Sequence, residues 1–151
     1  MQRSHWAASL LAAFAGLALS AAAIAGGPVL RAELPEAVVN IALPSDKIEP
    51  SVSVPFKVSI TPASGKPAPV RVRARLGMPM MGHWVTGEES HDFQPELAFD
   101  FKEHLEMGSA IPMNGLYRLR VWLDYADGQE AKTAIDFRVM TDEPLDAVVV
   151  E

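Results

Sequence analysis

No cysteine occurs in the 151 residues, so no disulfide can stabilise the fold and no thiolate can hold a metal. A soft metal site in this chain must be built from Met and His. Runs of Lys or Arg are missing as well. The 13 basic and 19 acidic residues leave a formal net charge of -6, the wrong sign for holding nucleic acid through its phosphates. No Gly-rich phosphate loop, nucleophile elbow or zincin signature is present, which speaks against an enzyme. Internal repeats, interdomain linkers and helical periodicity are absent, and beyond the N-terminus no apolar run could span a bilayer.

The N-terminus is where the apolar residues gather. "MQRSHWAASLLAAFAGLALSAAAIA" places Arg3 ahead of an Ala/Leu-rich run that ends in Ala23-Ile24-Ala25, a small-x-small cleavage site of a secretory signal peptide. Cleavage there would start the mature chain at Gly26. It would remove one Arg from a chain of net charge -6, giving -7. Gly26 also disfavours a copper oxygenase, which chelates its metal through an N-terminal histidine. Left uncleaved, residues 6 to 25 would instead anchor the chain in the inner membrane. The expected location is periplasmic or secreted, with membrane contact only if that segment stays attached. With 49% hydrophobic residues the remainder can bury one core.

That remainder reads as β-structure. Period-two alternation marks strands at 37–43, 52–60, 70–76, 96–101, 116–125 and 131–139, separated by Pro, Gly, Asn and Asp. Pro55 suggests an edge or bulge in the second of these, and Asp127-Gly128 marks a hairpin turn. "VRVRARL" sends Val70, Val72, Ala74 and Leu76 to one side and Arg71, Arg73 and Arg75 to the other. That arginine row is either the wet face of a half-buried sheet or an anion-binding patch. The expected fold is all-β, an immunoglobulin-like antiparallel β-sandwich of about seven strands. Residues 26–36 read as an extension and 37–140 as the domain, with 141–151 a tail whose "AVVV" could add an edge strand.

Chemistry concentrates in two segments. "LGMPMMGHWVTGEESH" (76–91) and "EHLEMGSAIPMNG" (103–115) hold five of the six methionines and all three histidines found after residue 25. In the first, Pro79 biases Met78 toward an extended backbone. Continued extension would send Met78 and Met80 one way and Met81 and His83 the other. Thioether and imidazole donors without thiolate suit Cu(I), while the histidines with Glu88, Glu89 or Asp92 could hold Cu(II). Zinc would more often recruit Cys or several His. Each residue also has an ordinary use, Met as a flexible core filler and His as a hydrogen-bonded surface group. Trp84 and Trp122 read as packing residues, with an indole able to shield a Cu(I) site.

"MPMMGH" at a strand end, followed some thirty residues later by "IPMNGLYRLRV", resembles the YtkA-like/FixH-like domain family, whose pattern is Met-Pro-x-Met-x-His and then a Met-x-Gly turn opening a strand. The resemblance covers roughly residues 37–140. It implies a small exported or membrane-anchored immunoglobulin-like domain linked to copper handling and to assembly of copper-containing respiratory oxidases. By position it implicates Met78, Met81, His83 and Met113 as ligands of copper, Cu(I) before Cu(II). Met80, His91, His104 and Met107 are secondary candidates; of these His91, His104 and Met107 have no counterpart in the pattern. The implied partners are a copper ion and a copper-containing membrane protein or oxidase assembly partner. The competing expectation is a metal-free interaction domain that assists assembly of a membrane complex, with the MPMMGH loop as an apolar contact.

Overall fold

The computed structural model describes residues 27–50, 53–102 and 109–151, and of His83 the backbone alone. The expected signal peptide or anchor over 1–25, and the candidate ligands His104 and Met107, lie outside the described residues. Among the described residues no helix is long and apolar enough to cross a membrane.

The chain folds as a sandwich of two antiparallel sheets, as expected from its alternation. One sheet has four strands in the order β1 (Val29–Glu33), β2 (Ala37–Ala42), β3 (Val54–Pro62), β7 (Glu96–Phe101). The other runs β10 (Asp146–Val149), β9 (Glu130–Val139), β8 (Gly115–Asp124), β4 (Arg71–Met78), and the far edge of β4 is shared by two short strands, β5 (His83–Trp84) and β6 (Glu89–Asp92). The pairings β2-β3-β7 and β4-β8-β9 reproduce the A-B-E and C-F-G neighbours of an immunoglobulin-like sandwich.

Burial follows sequence parity. β7 alternates exposed and buried along its whole length, and β2 alternates fully and partly buried residues. Phe56 of β3 meets Phe137 of β9 with ring centroids 5.7 Å apart, joining the two sheets, and Val58, Phe99, Leu76, Leu119, Leu123 and Ile135 fill the space around them. Each such fully buried side chain contributes about 1.5–3 kcal/mol, which is how a chain without disulfides holds one core.

The structure has ten strands among the described residues where about seven were expected. The additions are edge pieces. β1 forms inside the presumed extension and β10 inside the presumed tail, and β5 and β6 come from "HWVTGEESHD", whose polarity hides their pairing. Val70 does not join the inward row, because β4 begins at Arg71 and Val70 is half-exposed. Pro55 sits in an interior strand, but β2 ends opposite Lys57, so the β2 side of Pro55 is open. The Asp127-Gly128 signal yields a three-residue hairpin loop closed by Tyr125 N donating to Gln129 O at 2.9 Å.

Candidate functional site

β4 carries the first motif to one end of the sandwich. Met78, its last residue, keeps the extended backbone that Pro79 favours, at φ -113° and ψ 100°. The extension stops there. Pro79 opens a 3-10 turn, Pro79–Met81, closed by Gly82 in the left-handed region at φ 67°, with Gly82 N donating to Met78 O and Pro79 O at 3.1 and 3.3 Å. The turn brings the His83 backbone opposite Met78. It also breaks the expected alternation: Met78 is buried in the core, whereas Met80 is 81% and Met81 50% exposed. Met80 therefore does not face with Met78, because a 3-10 turn and not a strand connects them.

Beyond the turn, Val85 N and Thr86 N both donate to Leu76 O, and the buried Thr86 hydroxyl accepts from Leu76 N at 3.0 Å. Two residues thus oppose one, a bulge that bends this edge. Trp84 lies across the outer face of the sheet, with the Arg75 guanidinium 4.6 Å from its ring centroid, that of Arg120 at 5.8 Å, and the Trp122 ring at 6.0 Å.

The second motif reaches the same end from β8. Tyr117, fully buried near the start of that strand, donates its hydroxyl proton to Met113 O at 2.5 Å and accepts from Met113 N at 3.2 Å. This is the tyrosine corner of immunoglobulin-like folds, in which a Tyr early in the F strand clamps the backbone a few residues upstream. Burial pushes the Tyr117 phenol up from its ordinary pKa, against the opposing effect of the Met113 hydrogen bond. Met113 itself is 39% exposed. Gly115 then lets the two motifs meet: a Cβ placed there would lie 3.2 Å from Met78 Cε, and its φ of 155° disfavours any side chain.

Met78, Met81, the His83 backbone and the Met113 turn that leads into Gly115 thus lie at the same end of the sandwich. His91 does not join them. It lies in β6 opposite Val72, six residues back along β4 from Met78, roughly 20 Å at 3.3 Å per residue, where its ring packs edge-on to Phe99 at 5.0 Å and its Nε2 lies 3.6 Å from Glu89. Among the described residues no group of three or more His, Asp or Glu side chains is placed to hold a metal ion.

Two features escaped the sequence reading. Tyr117 looked like one inward residue among five, although a Tyr at the third position of a strand after a Pro-containing loop is the available sign of a clamp. The other is a pocket of about 210 Å³ beside the methionine turn, lined by Gly77, Met78, Pro79, Gly82, Trp84, Arg118 and Arg120; its sign was Gly77 ending the Arg71, Arg73, Arg75 row. No family model, curated protein or solved structure matches the chain.

Proposed function

We propose that the chain is an exported, non-enzymatic copper-binding domain that takes Cu(I) through Met78, Met81, Met113 and His83 and hands it to a copper-containing membrane enzyme. The observation that carries this reading is the approach of Met78 Cε to Gly115, which brings the strand-end methionine motif to the Met113 turn across about thirty-five residues of sequence. Thioethers are soft donors, matched to Cu(I) and poorly matched to hard cations. Met81 and Met113 are open to solvent while Met78 is buried, so a metal entering from the outer end could meet a partly prepared set of sulfurs. The resemblance of the two motifs to the YtkA-like/FixH-like pattern supports the same reading.

The experiment is a competition titration. Cu(I) held by a calibrated chelator is offered to the full chain; one equivalent should leave the chelator, and the Met78→Leu/Met81→Leu/Met113→Leu variant should remove far less. An unperturbed chelator would end the copper reading. The exposure of Met80, Met81 and Met113 favours a second reading, an adaptable apolar contact for a membrane-complex partner. In that case the Leu variants would leave copper behaviour unchanged and weaken association with the partner.

A further inference from the structure

We propose that the pocket beside the methionine turn is a binding site for a small organic anion, a carboxylate on a compact apolar body, independent of metal. Its floor is an omission. Outward positions along β4 read Arg71, Arg73, Arg75 and then Gly77, and Gly77 is not among the glycines at positive φ. Its backbone does not need glycine, which in a strand interior marks either a bulge, such as the one at the adjacent Leu76, or the close approach of a ligand. Trp84, opposite Gly77 in β5, does not fill the gap; its ring leans toward Arg75, Arg120 and Trp122 and becomes a wall.

The donors come from β8. Arg118, paired across from Gly77, gives Nε and Nη2 to Asp136 at 2.7 and 2.9 Å, and Arg120 gives Nε and Nη2 to Glu151 at 3.1 and 2.5 Å. In both, the carboxylate takes one edge of the fork and Nη1 makes no hydrogen bond within the described residues. Both guanidiniums are therefore held in place before any ligand arrives, which lowers the entropy cost of binding. Arg75 gives only Nε, to Thr86 O at 3.0 Å. Arg118 and Arg120 are each matched by one carboxylate, and Arg75, 4.6 Å from the Trp84 ring centroid, makes no ion pair within the described residues, so the three together carry a surplus of one positive charge. The other end of the row offers no such surplus, since Arg73 is bound by Asp124, Glu130 and Glu88. An anion on this face is directed to the Gly77 end.

The remaining lining selects the body. Met78, Pro79 and the Trp84 ring are apolar, and the pocket's volume of about 210 Å³ is more than a carboxylate group alone would occupy. Trp84 offers a face on which a flat or branched body can lie.

The test follows the Trp84 indole N–H resonance in the labelled full chain without copper, assigned through Trp84→Phe. Phenylacetate should shift it saturably, with phenylacetamide, acetate and inorganic phosphate each at least about tenfold weaker. Gly77→Val, which fills the floor, and the Arg118→Gln/Asp136→Asn pair, which removes one fork without stranding its carboxylate, should each weaken phenylacetate by a similar factor. If Gly77→Val does not fold, the paired variant decides. A resonance unmoved by phenylacetate, phenylacetamide binding as well as the acid, phosphate binding more tightly than phenylacetate, or affinity unchanged in the folded variants would each overturn the proposal.

Discussion

Replacing Tyr117 by Phe isolates the clamp on the second methionine loop. The ring keeps its place, stacked on Phe137 with centroids 5.8 Å apart and planes 20° apart, and the residue stays fully buried. What disappears is a hydroxyl that donates to Met113 O and accepts from Met113 N. At about 1 kcal/mol net per hydrogen bond, with some penalty for two part-buried backbone groups left unpaired, the loss comes to about 2–3 kcal/mol. With a urea m-value of about 1.5 kcal/mol/M, a 2 kcal/mol loss lowers the midpoint by about 1.3 M at unchanged m. Tyr125→Phe is the internal control, because the buried Tyr125 hydroxyl makes no hydrogen bond within the described residues; its removal should cost less than about 0.5 kcal/mol or stabilise. Equilibrium urea unfolding followed by far-ultraviolet circular dichroism measures both. Equal midpoint shifts for the two variants would refute the clamp, since the two substitutions differ chiefly in whether the lost hydroxyl was bonded.

Both tyrosines in the chain are pushed above their ordinary pKa by burial. A raised folded pKa gives stability that is fully present below the unfolded value of about 10 and lost as pH rises through the folded one. Phenolate absorbance should therefore rise together with cooperative alkaline unfolding; ionisation of both phenols at about pH 10 in a still-folded chain would contradict their burial. Gly115→Ala should cost about 1–3 kcal/mol, because the new Cβ meets Met78 Cε at 3.2 Å on a φ of 155°, and a thermal midpoint equal to the parent's would deny that close approach. Met81→Leu should weaken Cu(I) at least about tenfold, about 1.4 kcal/mol, while shifting stability by less than ~1.5 kcal/mol. Chelator competition and urea unfolding on the same samples separate the two effects.

The strands legible in the sequence are those with one wet face. β7 spans 96–101 as its Leu97, Phe99 and Phe101 alternation requires, and β8 and β9 fall within a residue of expectation, because a buried face repeated every second residue leaves a periodic trace. β5 and β6 leave none. They are two and four residues long, and their attachment depends on the Thr86 hydroxyl standing in for a ladder bond to Leu76, a contact with no period to detect. The expected alternation through "MPMMGH" failed for a related reason: Pro79 and Gly82 each fit an extended or turned chain, and the 3-10 turn they bracket appears only once β5 returns along β4.

Convergence of the two methionine segments is a matter of register. Alternation says which face of β4 and β8 is buried but not which residues oppose one another. The pairing that runs from Arg71 opposite Asp124 to Gly77 opposite Arg118 settles it, since continuing one step sets Met78 level with Tyr117, two residues from Gly115. A slip by two residues would preserve every inward and outward assignment, so hydrophobic patterning alone does not forbid it, yet it would move Met78 by about 7 Å along β8. What opposes the slip is specific. Arg73 reaches Asp124 with both prongs of its fork, at 2.8 and 2.9 Å, and a Cβ at Gly115 would lie 3.2 Å from Met78 Cε, so the glycine leaves room for it there. The paired charges on the wet face and a glycine at the strand start hold the register, and the register sets Met78 beside the start of β8.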